Sequence, residues 1–237
     1  MTELLFHDDS YLKEFEATVE ELVENGVVLD RTAFYIGGGG QPADVGDLTS
    51  GDGTYRVHRV ARSSGKIIHQ IEGLLPLAGS RVTGRVDWDL RYNLMRTHTA
   101  LHILCGVVWR DYGAHVTGGD MKPGEARMDF ELETMTAQFA EEIEEKINLE
   151  VAAARDVVAA KVSRAEADQI PDLIRTKINL LPAGITEVRT INITGLDLQA
   201  DGGTHVANTS EVGVIKVVGH ESKGRINKRL RISLAEQ

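Results

Sequence analysis

Near Asp89 the hydrophobic period of this 237-residue chain changes, and that change limits the architectures open to it. Upstream, short β-type runs are broken by turn residues. Residues 55–60, the turn Ser63-Ser64-Gly65 and residues 66–71 read as a hairpin, with further runs at 16–19, 27–29 and 81–86. Short, evenly spaced strands leave edges exposed unless the sheet closes, so this part predicts a small barrel or sandwich. Downstream, Leu94, His98, Leu101, His102, Cys105 and Val108 recur at helical spacing, with Asp89 as the expected N-cap and Gly113 as the stop. Residues 135–165 are rich in alanine and glutamate and lack glycine and proline, which predicts one long helix or two consecutive ones. β character returns at 187–193, 212–218 and 229–234. Helices on a mixed or antiparallel sheet make the second part α+β. The expected domains are 1–88 and 89–237.

Composition narrows the function classes. The formal charge is −10, so a nucleic-acid partner would have to meet a local basic patch rather than the whole surface. Lys216, Lys223, Arg225, Lys228, Arg229 and Arg231 offer such a patch near the carboxy terminus, although a hairpin edge protected by solvated charge would look the same. The single cysteine, Cys105, excludes an intramolecular disulfide and fits the reducing cytosol. With neither the basic start and apolar run of a signal peptide nor an apolar stretch of bilayer length, the expected location is cytoplasmic and no membrane partner is expected.

His98 and His102 lie one helical turn apart, so both imidazoles project from the same face and can reach one metal ion. A lone histidine there would read as a core residue; two buried imidazoles need polar partners that a core seldom supplies. Thr99 follows His98, so the glutamate of the zinc-protease helix motif is missing. Asp201-Gly202-Gly203-Thr204-His205 adds a carboxylate and an imidazole around a tight turn; by itself it reads better as an ordinary turn with a surface histidine, and only together with the helix pair does it suggest a four-residue site. Three histidines with one carboxylate suit a catalytic zinc site better than a closed structural one. Cys105, a turn beyond His102, reads as a small buried hydrophobe.

The segments Arg96-Thr97-His98-Thr99-Ala100-Leu101-His102, Arg127-Met128-Asp129-Phe130 and Asp201-Gly202-Gly203-Thr204-His205-Val206 occur in the order found in the editing domain of alanyl-tRNA synthetase, which they resemble. Upstream, Phe34-Tyr35-Ile36-Gly37-Gly38-Gly39-Gly40-Gln41-Pro42-Ala43-Asp44-Val45-Gly46 is similar to the glycine-rich segment of the free-standing editing proteins of the AlaX type, in their longer form. The resemblance covers nearly the whole chain. It implies a small N-terminal β-barrel with a glycine-rich loop, followed by an α+β two-layer zinc-binding editing domain. It implies zinc held by His98, His102, Asp201 and His205, with Asp201 where the family has cysteine.

The activity implied is zinc-dependent deacylation of mischarged alanine tRNA, with the aminoacylated tRNA as partner. A synthetase pocket built for alanine admits smaller glycine and rejects serine weakly, so serine is the chief expected substrate and glycine a second. His98, His102 and His205 would act through the metal, either by activating a bound water or by anchoring the substrate. Thr32, Gly38, Gly39, Gly40 and Gln41 would contact the substrate, and Lys223, Arg225, Lys228 and Arg229 the tRNA. The alternatives are serine editing on threonine tRNA, a non-catalytic tRNA-binding module with a structural metal, and a zinc amidohydrolase acting on a small metabolite.

Overall fold

In the computed structural model, which describes residues 2–51, 53–176 and 184–235, inward and outward side chains alternate along the strands of the amino-terminal part. In chain order these are β1 (Glu3–Leu4), β2 (Glu14–Val23), β3 (Gly26–Leu29), β4 (Arg31–Thr32), β5 (Gly46–Ser50), β6 (Gly53–Ser63), β7 (Lys66–Ile71) and β8 (Arg81–Val86). Six of them close into a barrel in the order β2-β3-β7-β6-β5-β8, and β1 pairs in parallel with β4. Closure leaves no unpaired edge, which decides between barrel and sandwich. Phe15, Val19, Leu29, Phe34, Leu48 and Val57 fill the interior. The hairpin between β6 and β7 turns at Ser64 and Gly65, both with positive φ, the geometry that matches the twist of the paired strands.

The glycine-rich segment is a closed turn. Gly38 and Gln41 exchange backbone hydrogen bonds of 3.1 and 2.9 Å, and Gly37, Gly38, Gly39 and Gly40 all have positive φ, a conformation that residues with a Cβ adopt only under strain. Its base is held from two sides. The Tyr35 amide donates to Asp44 Oδ2 at 2.6 Å, and the Asp44 amide donates back to the Tyr35 carbonyl at 2.9 Å. The Asp44 carboxylate also takes the guanidinium of Arg91, which in addition donates to the Ser10 carbonyl at 2.9 Å; both charged side chains are fully buried.

The chain divides into two units, Met1–Asn93 and Leu94–Gln237, so the division falls inside the first helix, α1 (Trp88–Tyr112), rather than at its start. The reason is Arg91, which ties the first turn of α1 to the glycine-rich segment. The N-cap is Asp87, whose carboxylate accepts from the Leu90 amide at 3.3 Å; the expected cap, Asp89, lies within the first turn. Gly113 ends the helix with φ 63°.

The second unit continues with β9 (Val116–Lys122), β10 (Glu125–Phe130), α2 (Ala137–Ala152), β11 (Val157–Ser163), α3 (Arg164–Ala167), β12 (Glu187–Ile193), β13 (Asp197–Ala200), β14 (Ile215–Gly224) and β15 (Asn227–Leu234). Its strands form two antiparallel sheets, β14-β15-β10-β9 and β11-β12-β13. The sequence reading expected one buried face on α1, yet every residue from 94 to 108 is buried. Neighbours reach the helix from several directions: the Gly124 amide donates to Thr97, Arg96 donates to the carbonyls of Val212 and Ala235, and Gly106 sits so close to Leu196 that a Cβ would lie 2.9 Å from its Cγ.

Two further expectations change. The helix expected up to residue 165 ends at Ala152, and Ala154 turns the chain with φ 48° into β11, whose seven residues all pair with β12. Val157, Val158 and Val162 suit a strand, and the ladder to β12 outweighs the weak helix preference of the intervening alanines. The strand expected from 212 starts at Ile215, because Asn208 and Glu211 form a capping box that winds Thr209–Val212 into a 3₁₀ turn. Among the described residues, no helix is long and apolar enough to cross a membrane.

Candidate metal centre

α1 presents His98 and His102 one turn apart, and the loop after β13 returns Asp201 and His205 to them. One potential ligand atom from each of the four lies within 4.8 Å of the others. The imidazole centroids are 4.2 Å apart for His98 and His205, 4.7 Å for His102 and His205, and 5.2 Å for His98 and His102. Asp201 Oδ1 stands 3.0 Å from His205 Nε2, and its Oδ2 stands 3.6 Å from His98 Nε2. Ligands on a tetrahedral zinc are about 3.4 Å apart, so small side-chain rotations would bring this set to coordination distance. Three imidazoles and a carboxylate are also the donor chemistry that zinc accepts. The residues fit the ion.

Local structure explains the convergence. The Gly203 amide donates to Asp201 Oδ1 at 2.8 Å, and Arg189 donates to the carbonyls of Asp201 and Gly203 at 3.1 and 2.8 Å, which ties the glycine turn to β12. Thr99, in place of the missing glutamate, anchors the same loop to the helix: its hydroxyl accepts from the Val206 amide at 3.3 Å and lies 3.2 Å from His205 Nδ1.

The electrostatics favour ligation at neutral pH. Burial pulls His98 down to about 4, and burial followed by the charge of His98 holds His205 well below its usual range, so both imidazoles are neutral donors. Burial opposes ionisation of Asp201, but the neighbouring histidines, His98 foremost, outweigh it and hold the carboxyl well below 3.8. His102 behaves differently. Burial lowers it, but hydrogen bonding and charge from Asp197 prevail and raise it.

The other residues singled out in the sequence fall into distinct settings. Thr32 is buried in the barrel, its hydroxyl 2.8 Å from His69 Nε2 and accepting from the Phe34 amide at 3.1 Å. Gly38, Gly39 and Gly40 are exposed on the closed turn, while Gln41 is buried. Lys223 and Arg225 are exposed at the tip of the β14–β15 hairpin. Lys228 is buried and donates to the turn carbonyls of Gly224 and Arg225 at 2.7 and 3.0 Å; Arg229 forks onto Asp129 at 2.6 and 2.8 Å. Much of the expected basic patch is therefore neutralised within the fold. Cys105 is buried, its thiol pushed up by burial, and it is not part of the ligand cluster.

Sequence reading missed Asp197 and Gln199. The signal was present, because Asp197, Gln199 and Asp201 alternate at the spacing that puts strand side chains on one face.

Because Asp201 stands beside neutral imidazoles, Asp201→Cys is expected to keep or tighten zinc binding, thiolate being the softer ligand. Zinc titration of the purified variant checks this, and a loss of affinity would give Asp201 another role.

Comparison with known proteins bears on the same regions. Residues 6–90 match the model for class II (A) tRNA synthetases, and residues 188–231 match that of the threonyl and alanyl tRNA synthetase second additional domain. The alanyl-tRNA editing protein AlaX-M of Methanosarcina mazei is 40% identical, covering 100% of this chain and 98% of its own length. The AlaX-M protein of Saccharolobus solfataricus is 39% identical over 97% of this chain and 98% of its own length. The alanine–tRNA ligase of Ignicoccus hospitalis is 39% identical over 92% of this chain and 24% of the ligase. With that identity sustained from end to end, the chain belongs to the family of alanyl-tRNA editing proteins of the AlaX-M type.

Proposed function

We propose that this chain hydrolyses the ester of mischarged alanine tRNA in trans, with serine the chief amino acid removed and glycine a second, and that zinc held by His98, His102, Asp201 and His205 is required. The observation that carries the reading is the convergence of three imidazoles and a carboxylate within 4.8 Å, in a chain that matches proteins named alanyl-tRNA editing protein over its full length. Bound zinc supplies a Lewis acid that makes a water nucleophilic near neutral pH or polarises the ester. The protein contributes the rest: His98 and His205 offer neutral nitrogens, His102 offers the nitrogen turned away from Asp197, Asp201 balances the charge, and Thr99 and the Asp201–Gly203 turn hold the loop against α1. An aminoacyl ester is already activated relative to an amide, so a positioned nucleophile matters more than a strong acid.

Recognition of the serine hydroxyl belongs to Thr32 in this proposal, with Gly38, Gly39, Gly40 and Gln41 as backbone and side-chain contacts to the substrate. His69 Nδ1 faces the Val27 carbonyl at 3.4 Å, which makes Nε2 the acceptor of the Thr32 hydroxyl proton. That hydroxyl also accepts from Phe34 and keeps one lone pair for a donor. Thr32→Val is expected to lower the ratio of serine to alanine deacylation by about tenfold to hundredfold, the effect of a buried polar group losing its partner at roughly 1–3 kcal/mol. The variant also deprives His69, so the ratio, measured in single turnover, separates selectivity from a general loss of stability. An unchanged ratio would make Thr32 a strand residue only.

For the tRNA, the exposed Lys223 and Arg225 make the phosphate contacts, and Lys228 and Arg229 shape the hairpin that carries them. Binding would weaken steeply with salt. The primary experiment is deacylation of serine, glycine and alanine from the same tRNA, with and without a chelator. Activity lost on chelation and restored by zinc is expected; turnover that survives complete metal removal overturns the reading.

A further inference from the structure

We infer that Asp197 is a positioning residue for the metal centre, selecting the tautomer and orientation of His102; this rests on the zinc reading above. Asp197 Oδ2 lies 3.0 Å from His102 Nδ1 and accepts from Gln199 Nε2 at 2.7 Å. The Asp197 side chain has no solvent exposure. An ionised carboxylate in that setting is expensive unless its charge is used locally. Arg175 stands 3.8 Å from Oδ1, beyond hydrogen-bonding distance, and lies over the Trp109 ring at 4.5 Å. Asp197 Oδ1 has no hydrogen-bond partner, nor do Arg175 Nε and Nη1. The strong contacts of the carboxylate are thus confined to the oxygen that faces His102. An apolar side chain would fill the space without this penalty, so the carboxylate is explained by what it does to the imidazole.

Its effect follows from hydrogen-bond chemistry. A carboxylate oxygen accepts, so His102 carries its proton on Nδ1 and presents Nε2 as the ligating nitrogen. Gln199 donates to the same oxygen and keeps the carboxylate from rotating away. Such a partner both fixes the ring and makes the ligand a better electron donor. His205 receives the weaker version of the same support, from the neutral hydroxyl of Thr99 at 3.2 Å.

The test is Asp197→Asn, which preserves size and removes the charge. Zinc affinity, read by competition with a chromophoric chelator, is expected to fall by about 10–100-fold. Independently of any metal, nitrogen-15 shifts of the metal-free wild type should show His102 protonated on Nδ1, with that preference lost in Asp197→Asn. Circular dichroism and the thermal midpoint of the metal-free variant report whether the fold is intact. Should Asp197→Asn not fold, Gln199→Met leaves Asp197 in place but frees the carboxylate, and is expected to weaken zinc binding by roughly severalfold. Wild-type zinc affinity together with an unchanged Nδ1 proton in a folded Asp197→Asn protein overturns the inference. A wild type that binds no zinc overturns the zinc reading instead, and the tautomer measurement still decides what Asp197 does.

Discussion

Replacing His98 or His102 by alanine is expected to remove both zinc and deacylation. The two side chains come from adjacent turns of a helix that is enclosed from residue 94 to 108, so the backbone cannot shift to bring a substitute donor into place. Loss of one ligand leaves two imidazoles and a carboxylate, a poorer set for zinc. Lewis-acid assistance is worth several kcal/mol, so the rate should fall roughly a thousandfold or more. Metal content by atomic emission and single-turnover deacylation check the two parts separately. Binding of uncharged tRNA should change little, because neither histidine is assigned a phosphate contact. A variant without zinc that deacylates at the wild-type rate would sink the metal mechanism.

Arg91→Met is expected to lower the stability of the barrel unit by about 3–5 kcal/mol, the usual consequence of leaving a buried charge without its partner. The stranded group is Asp44, whose carboxylate is fully buried and also accepts the Tyr35 amide. Adding Asp44→Asn to Arg91→Met removes the stranded charge while keeping an acceptor for Tyr35, and should recover at least about half of the loss. Urea unfolding of the single and double variants measures the coupling. Additive losses would mean that Arg91 acts through its contacts to the carbonyls of Ser10 and Ala33 rather than through Asp44. Since this pair also fixes the base of the glycine-rich turn, Arg91→Met tests whether that turn needs its anchor: selectivity for serine should fall in step with folded-state disorder of the segment.

Local chemistry carried a large part of the reading. The hairpin at Ser64 and Gly65, the helix bearing His98 and His102, and the paired spacing of Asp201 and His205 are set by periods and turn preferences within a few residues, and such patterns are visible in a single chain. Contacts between distant segments were not visible. Arg91 meets Asp44 across 47 positions, His102 meets Asp197 across 95, and Arg229 meets Asp129 across 100. None of these leaves a mark on composition or periodicity, because any arginine or aspartate reads as a solvated charge until the fold buries it. That is why the basic carboxy-terminal cluster looked larger in the sequence than the exposed charge the fold retains. The segment at 157–163 shows the same limit in the backbone: alanines and valines are compatible with helix or strand, and the seven-residue pairing with β12 decided between them. The sequence by itself determined the helix that sets His98 and His102 one turn apart, and with the family resemblance it named the four residues that the fold gathers into a group able to hold a metal ion; the tertiary structure decided which charges remain available and which side chain faces His102, because burial and pairing are properties of segments brought together from far apart.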